Sequence, residues 1–149
     1  MSMLPHITVA TIVERDGEFL MVKEKSNGSI VYNQPAGHLE ENETLITAAE
    51  RETLEETAWR VKVRALLGVY QYTSSHNGVY YVRHCFIADG IEAVDNRELD
   101  RDIVEAQWLS LDYLKTCTNQ MRSPLVLKVI EDYLRGQQFP LSVISDPEF

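Results

Sequence analysis

Short stretches of apolar and β-branched residues, separated by turn sequences, dominate the pattern of this chain. The first stretch, His6 to Val13, is followed by Asp16-Gly17, and Asn27-Gly28 comes soon after. Both dipeptides are typical of β-hairpin turns, because these residues tolerate positive φ angles. Two longer stretches flank His76-Asn77-Gly78, which indicates a further hairpin. The predicted strands span residues 6–13, 18–22, 29–33, 61–72, 79–88 and 105–109, with a loop at 35–37.

A helical spacing of apolar residues appears between positions 44 and 57. Glu43 favours a helix that begins near it, because acidic side chains stabilise the positive N-terminal end of a helix. The face predicted to pack on the sheet carries Leu45, Ala48, Ala49 and Leu54. The other face carries charged residues and is expected to open toward a cleft.

Two later helices are predicted over residues 112–116 and 124–134. For the second, Ser123 is the expected N-cap and Pro124 the first helical residue. The segment after Leu141 is expected to be mobile. Strands with helices before and after them indicate a mixed α and β protein, although periodicity alone does not define the architecture.

Length and composition favour one globular domain over residues 1–149. The chain is 44% hydrophobic and 25% charged, which is enough apolar material for a core without disulfides. Cys85 and Cys117 lack the spacing of a zinc site and are predicted to be reduced, packing thiols. No apolar run approaches the length of a membrane span and no secretory pattern stands at the start, so a cytoplasmic location is expected.

The net charge of −9 narrows the choice of partners. The 14 Lys and Arg residues are scattered along the chain, so neither polymeric nucleic acid nor an anionic membrane is an expected partner. The same charge would repel a small phosphorylated molecule unless a cation accompanied it. A metal-bound phosphorylated substrate is therefore favoured.

Three carboxylates stand together in the helix predicted over residues 44–57. Glu55 and Glu56 follow Glu52 by three and four positions, so all three share one helix face. Each like-charge pair destabilises a helix by roughly 0.2–0.5 kcal/mol when nothing lies between the charges. A divalent cation would relieve this repulsion, and ligation by oxygen alone suits Mg²⁺, with Mn²⁺ as a substitute. An ordinary solvated acidic face is the simpler alternative.

The spacing of the surrounding residues argues against that simpler alternative. Residues 37–59 resemble the Nudix box, which is a glycine, five residues, a glutamate, seven residues and then Arg-Glu-apolar-any-Glu-Glu-any-Gly-apolar. The matching positions in this chain are Gly37, Glu43, Arg51, Glu52, Glu55 and Glu56. The resemblance identifies the chain as a member of the Nudix hydrolase superfamily, and it implies an α/β/α sandwich with a mixed sheet.

Three positions of residues 37–59 depart from the box, and none of them is a charged position. Thr53 replaces an aliphatic residue and Trp59 replaces a smaller one, which is expected to alter how the helix packs. Ala58 replaces the second glycine. Because a Cβ makes the left-handed conformation costly, a left-handed helix end is not expected at Ala58.

More of the chain resembles one branch of the superfamily, the NudJ-like phosphatases. The resemblance is carried by segments that keep their order along nearly the whole chain, at residues 5–10, 33–40, 122–126 and 139–141. It implies hydrolysis of nucleoside di- and triphosphates and of thiamine pyrophosphate or its pyrimidine precursor, by a monomer.

The resemblance also implies a set of metal ligands. Glu52 and Glu56 would be the principal ligands, Glu55 a third ligand or a holder of water, and the neighbourhood of Gly37 would offer a backbone carbonyl. Bound Mg²⁺ and a carboxylate together meet the needs of phosphoanhydride hydrolysis, which are neutralised phosphoryl oxygens and a held water.

Two further roles follow from the same resemblance. Arg51 and Glu43 would form a structural ion pair that orients the helix against the preceding loop. The catalytic base would be Glu52 or a carboxylate outside the box, for which Asp100, Asp102 and Glu105 are available. Glu105 is preferred because it is nearest the Trp108 strand, although a solvated strand residue would look the same. The expected catalytic set is Glu52, Glu55, Arg51 and Glu105.

Substrate contacts are expected from polar and aromatic residues outside the acidic cluster. Arg83 could bind a phosphate through two hydrogen bonds, and His38 could reach one, but each could equally be an ordinary surface residue. Tyr72 could line a wall for a flat ring, as could Tyr70, Tyr80 and Tyr81, although such residues more often pack in a core. Gln34 is the fourth expected contact, with Arg122 as a weaker candidate.

Three other functions remain open at this stage. A general housecleaning nucleotide pyrophosphatase would release pyrophosphate rather than orthophosphate. A Nudix-fold sensor would bind a nucleotide without turnover, although the complete acidic set argues against a pure binder. A bare acidic surface that binds Ca²⁺ is the last alternative.

Overall fold

The computed structural model describes residues 4–145, and a seven-stranded mixed sheet forms its centre. The strands are β1 (His6–Arg15), β2 (Glu18–Ser26), β3 (Ser29–Asn33), β4 (Ala36–His38), β5 (Trp59–Thr73), β6 (Tyr80–Ala93) and β7 (Ile103–Ser110). The helices are α1 (Leu45–Thr57), α2 (Leu111–Lys115) and α3 (Leu125–Leu134), with short 3₁₀ turns at Thr118–Gln120 and Leu141–Val143.

The sheet runs in the order β3-β2-β1-β6-β5, with β4 added to β1 and β7 added to β2. The pairing of β1 with β6 is parallel and the other strand pairs are antiparallel. Helix α1 packs on one face over a core that includes Val13 and Phe86. Helices α2 and α3 pack on the other face over a core that includes Phe19 and Leu67. The expected α/β/α sandwich with a mixed sheet is therefore confirmed.

The predicted hairpin turns are present. Asp16 and Gly17 have φ angles of 52° and 83°, and Asn27 and Gly28 have φ angles of 50° and 80°. Two consecutive positive φ angles match the right-handed twist of the strands on either side. The β5–β6 hairpin likewise turns through Gly78, which has a φ of 71°.

Several strand predictions were wrong in their extent, and β6, for example, continues five residues beyond Ala88. The loop predicted at 35–37 is largely strand β4, in which Gly37 lies opposite Val9 of β1. This pairing is long-range, so the local turn signal of Pro35 and Gly37 concealed it. Strand β2 continues four residues beyond Val22, because its charged residues pair with β3 and β7 on both sides.

Helix α1 begins and ends with defined caps. Thr44 is the N-cap and exchanges hydrogen bonds with Thr47 in a capping box, one residue after the expected onset near Glu43. Ala58 ends the helix in the left-handed conformation, with φ 60° and ψ 23°. The expectation that alanine would prevent a left-handed helix end was wrong. The Ala58 amide donates to the Leu54 carbonyl, and the Ala58 carbonyl accepts from the Val94 amide at 2.7 Å, so both backbone groups are satisfied in this conformation.

The buried face of α1 differs from the predicted one. Ala48 and Ala49 are buried as expected, but Thr53 and Thr57 are also buried, while Leu54 is only half-buried. The Thr53 hydroxyl lies 2.8 Å from that of Thr11 and donates to the Ala49 carbonyl. A threonine can therefore occupy this apolar interface because its hydroxyl group is satisfied within it.

The C-terminal elements depart slightly from prediction. Helix α3 has Pro124 as its N-cap rather than Ser123, although the Ser123 Oγ accepts from the Leu125 amide at 3.2 Å. In the segment after Leu141, which was expected to be mobile, Ile144 packs against the core as Leu141 itself does, and residues 146–149 lie outside the described part. Within residues 4–145 no helix is long and apolar enough to span a membrane.

Candidate active site

A cleft of about 500 Å³ opens where α1 meets β4 and the segment before α3. Six strands contribute sheet positions to it. Four of them, β4, β1, β6 and β5, are brought together by their pairing, since Thr8 pairs with both His38 and Arg83 and Tyr81 pairs with Tyr72, and β2 and β3 add Glu24 and Asn33. Helix α1 adds carboxylates and the segment before α3 adds a second polar wall. The lining includes Thr8, Glu24, Asn33, Gly37, His38, Glu52, Glu56, Tyr72, Tyr81, Arg83, Asp102, Arg122 and Ser123.

Glu52 lies directly against the backbone of Gly37. A Cβ placed at position 37 would stand 2.1 Å from Cδ of Glu52, so only glycine leaves room for this carboxylate. The Glu52 side chain is 13% exposed. Burial raises the pKa of Glu52, the charges of Glu55 and Asp100 raise it further, and Arg51 opposes the shift.

Glu56 is the most deeply placed of the three box carboxylates. Its Oε1 accepts a hydrogen bond from the Ala36 amide at 2.9 Å. Burial, together with the negative charges of Glu24, Glu52 and Asp100, raises the pKa of Glu56 to about 9. A buried carboxylate among other carboxylates is costly unless a cation joins it.

Glu55 belongs to a second grouping that includes a residue outside the box. Single carboxylate oxygens of Glu52, Glu55 and Asp100 all lie within 4.8 Å of one another. The Asp100 amide donates to the Glu55 carbonyl at 3.1 Å, which holds the loop before β7 against the end of α1. Asp100 therefore joins the acidic cluster through a backbone contact that no local pattern predicts.

The donor set fits a hard divalent cation. Glu52, Glu55 and Asp100 offer carboxylate oxygens within 4.8 Å of one another, Glu56 lines the cleft together with Glu52, and Gly37 brings its backbone close to Glu52. Among the described residues that line the cleft there is no cysteine, which would favour a softer metal. Mg²⁺ and Mn²⁺ are the ions that such a set suits.

Arg51 connects the acidic cluster to the loop before α1. It donates to Glu43 through Nε at 2.6 Å and through Nη2 at 2.9 Å. Its Nη1 contacts Glu52 at 2.8 Å and Glu55 at 3.1 Å, and its Nη2 donates to the His38 carbonyl at 3.2 Å. The pKa of Glu43 is lowered by these hydrogen bonds. One guanidinium thus orients two carboxylates of the cluster from outside the cleft.

Five of the predicted site residues do not line this cleft: Glu43, Arg51 and Glu55, which are joined to Glu52 through Arg51, and Glu105 and Gln34. Glu105 is exposed on β7 opposite Lys23, and it does not line the cleft. Gln34 is fully buried, and its Nε2 donates to the Val126 carbonyl at 2.7 Å. Its Oε1 lies 3.5 Å from Nη1 of Arg83, so Gln34 supports the cleft from behind.

The other predicted substrate contacts do line the cleft. His38, Arg83 and Tyr72 all contribute to its surface. The ring nitrogens of His38 and His6 are 3.0 Å apart. Tyr81, on the strand next to Tyr72, completes an aromatic pair.

The remaining two tyrosines lie elsewhere. The Tyr70 hydroxyl donates to Asp132 at 2.8 Å against α3. The Tyr80 hydroxyl instead contacts the side chain of Gln71. Neither ring contributes to the cleft.

Sequence reasoning missed part of the second wall. Glu24 is buried and forms an ion pair with Arg122 at 2.7 Å, across 98 positions of the chain. Asn33 lies beside them in the same cleft. Glu24 stands in the charged run Lys23-Glu24-Lys25, which was interpreted as lying beyond the end of the strand, so no local signal singled it out.

Comparison with known proteins agrees with this geometry. Residues 4–128 match the NUDIX domain family. The chain is 37% identical over 142 residues to the phosphatase NudJ of Escherichia coli strain K12, which covers 95% of this chain and 92% of that protein. The NudJ phosphatase of Shigella flexneri matches with the same identity and coverage.

A solved structure is also similar over nearly its whole length. A NUDIX hydrolase from Nitrosomonas europaea superposes with a TM-score of 0.94 at 40% identity, covering 96% of this chain and 97% of that one. The family match, the full-length relatives and the acidic cluster beside Gly37 lead to one assignment. The chain belongs to the Nudix hydrolase family, as an enzyme of the pyrophosphohydrolase or phosphatase class.

Proposed function

We propose that this protein is a Mg²⁺-dependent hydrolase of phosphoanhydride bonds in nucleoside di- and triphosphates and in compounds like thiamine pyrophosphate. One observation supports this proposal most directly. Glu52 and Glu56 lie in one cleft with the Gly37 backbone, and the same cleft contains Arg83 and two tyrosines. The relative NudJ is a phosphatase, which supports orthophosphate as the released product.

The metal site in this proposal is built from the box carboxylates. Glu52 and Glu56 are the principal ligands, with Glu55 and the Gly37 carbonyl completing the set. When bound, Mg²⁺ supplies positive charge to the phosphoryl oxygens and acidifies water. Arg51 holds Glu52 and Glu55 in place, because its planar group contacts both carboxylates and is itself fixed by Glu43.

Water activation is assigned to the carboxylates that cluster beside Arg51. The attacking water must lose a proton, and the available acceptors that lie together are Glu52, Glu55 and Asp100. Asp100 takes the role first expected of Glu105, because a carboxylate oxygen of Asp100 lies within 4.8 Å of those of Glu52 and Glu55, and Glu105 is not part of that cluster. The tyrosine pair is assigned to the organic part of the substrate, since each ring offers a flat apolar face with a polar tip.

The remaining expectations belong to the same proposal. The working form is a cytoplasmic monomer with one domain over residues 1–149. Size-exclusion chromatography with light scattering tests the oligomeric state, since a dimer has twice the mass of the 17.1 kDa chain.

The test is phosphate and pyrophosphate release from GDP, GTP, thiamine pyrophosphate and ADP-ribose, with Mg²⁺ and with EDTA. Glu56→Gln keeps the oxygen that accepts from Ala36 but loses the ligand charge, so it should abolish turnover. Glu105→Gln is the matched control, because it removes an exposed glutamate outside the cleft. The proposal is supported if the wild type and Glu105→Gln release orthophosphate in a metal-dependent way and Glu56→Gln does not.

Two results would overturn it. Pyrophosphate as the main product would point to a housecleaning nucleotide pyrophosphatase. Tight nucleotide binding with no release of either product would point to a sensor.

A further inference from the structure

A buried carboxylate outside the box forms part of the second wall of the cleft. Glu24 is 7% exposed and stands on β2 where the register with β7 shifts. Its Oε1 accepts from Nη1 of Arg122 at 2.7 Å and lies 3.5 Å from Nδ2 of Asn33. A buried carboxylate requires such partners, because burial without them is strongly unfavourable.

Arg122 is held at two points. Its amide donates to the Tyr32 carbonyl at 2.8 Å, which fixes the backbone before α3. Its side chain is 40% exposed, and Glu24 is its one acceptor among the residues the structure describes. A guanidinium has five N–H donors, so most of those of Arg122 remain free for a ligand in the cleft.

Arg83 is joined to the same network from the sheet. Its Nη2 lies 3.4 Å from Oδ1 of Asn33, and its Nη1 lies 3.5 Å from Oε1 of Gln34. Asn33 therefore links Arg83 to Glu24, because its amide oxygen faces Arg83 and its amide nitrogen faces Glu24. Because both contacts of Arg83 are long, this guanidinium also keeps donors for a ligand.

We propose that Arg83 and Arg122 form one anion site that binds the terminal, unesterified phosphate of the substrate, with Glu24 as the positioning residue for Arg122. This inference rests on the proposed hydrolase function and assigns residues to the binding of the terminal phosphate in that substrate class. Both arginines line the cleft that holds Glu52 and Glu56. They supply the only Lys or Arg charge among the cleft-lining residues that the structure describes.

The chemistry of this site favours some phosphorylated compounds over others. A terminal phosphate carries about two charges and three free oxygens, which two guanidinium groups can bind together. A diphosphate esterified at both ends, as in ADP-ribose, has no such group. The site should therefore select nucleoside di- and triphosphates and thiamine pyrophosphate over dinucleotide-like diphosphates.

Steady-state kinetics with GDP and ADP-ribose test this selection. Arg122→Gln should raise KM for GDP by about 10- to 100-fold, which corresponds to one lost charge-assisted contact, with a smaller change in kcat. The same variant should change KM for ADP-ribose by less than about 3-fold, because ADP-ribose has no terminal phosphate for Arg122 to bind. Arg122→Lys should recover part of the loss because it keeps the charge.

Glu24→Gln tests the positioning role. It keeps an acceptor for Arg122 but removes the charge, so it should raise KM for GDP in the same direction and by a smaller factor. Arg60→Gln and Glu92→Gln are the matched controls, because these residues form an exposed Arg–Glu pair at 3.1 Å away from the cleft. Both controls should leave the kinetics unchanged.

A binding measurement separates failure of this proposal from failure of the proposed function. Calorimetry with GDP and with inorganic phosphate needs no turnover, and Arg122→Gln should weaken both by about 10-fold or more while Mn²⁺ affinity stays unchanged. Equal losses for GDP and ADP-ribose, or unchanged GDP and phosphate binding in the variant, would overturn the anion site. If the wild-type protein binds GDP through Arg122 without hydrolysing it, the hydrolase proposal fails and the anion site stands.

Discussion

The carboxyl group of Glu52 lies so close to the Gly37 backbone that a Cβ at position 37 would stand 2.1 Å from Cδ of Glu52. The two residues come from different elements, α1 and β4, and each element is held by its own contacts. The glycine therefore serves a close approach between backbone and carboxylate. This contact fixes where the carboxylate can stand relative to the cleft.

Gly37→Ala should displace the Glu52 carboxylate and lower kcat by about 100-fold, because a shift of about 1 Å in a reacting group has that effect. The affinity for Mn²⁺, measured by calorimetry, should fall with it. Gly90→Ala is the matched control, because a Cβ there meets Trp59 at an ordinary 3.4 Å. Wild-type activity in Gly37→Ala would show that Glu52 can move without consequence.

Arg51→Lys should lower kcat/KM by about 10- to 100-fold, as is typical when a residue that orients metal ligands is changed. Lysine keeps the charge but cannot reproduce the two hydrogen bonds to Glu43 together with the contact to Glu52. Kinetics and Mn²⁺ titration of this variant, beside Arg60→Lys as a surface control, give the measurement. Equal activity in Arg51→Lys and Arg60→Lys would mean that a positive charge at position 51 is sufficient to orient the carboxylates, without the planar guanidinium.

Ala58→Gly should stabilise the protein by about 0.5–1 kcal/mol, because Ala58 adopts a φ of 60° that glycine reaches without a Cβ penalty. Such a gain corresponds to a rise of about 1–4 °C in Tm. Ala93→Gly, an exposed change at the end of β6, is the control and should be neutral or destabilising. A fall in Tm for Ala58→Gly would contradict the strain assigned to this helix end.

Asp132→Asn should destabilise the protein by about 1–3 kcal/mol at neutral pH. Burial by itself would raise the pKa of Asp132, but hydrogen bonds from Tyr70 and Lys128 and the charges of Lys128 and Arg135 lower it overall. Asp132 is 2% exposed, so the loss should be measurable by urea unfolding.

The pH dependence of this loss has a definite sign. A lowered folded-state pKa means that the stabilisation is complete well above the usual 3.8 and is lost as the pH falls through the folded value. The difference between wild type and Asp132→Asn should therefore be constant from pH 7 to about 5 and shrink toward pH 3. Asp89→Asn, which breaks an exposed pair with Arg64, should show little effect at any pH. A constant difference down to pH 3 would contradict the lowered pKa.

Local signals in the sequence were enough for the hairpins and for helix α1. Asp16-Gly17 and Asn27-Gly28 form the predicted turns, because the preference for positive φ belongs to the residues themselves. Glu52, Glu55 and Glu56 share a face of α1 because helical geometry alone brings positions three and four apart together. These features depend on neighbours along the chain.

Tertiary structure decided which distant residues join that helix. Asp100 rather than Glu105 lies beside Glu55, Gln34 is buried behind Arg83, and Glu24 meets Arg122 across 98 positions. These contacts follow from the parallel pairing of β1 with β6, from the extension of β2 and from the backbone bond between Asp100 and Glu55. Strand order and register are collective properties of the folded sheet, so no local pattern contains them.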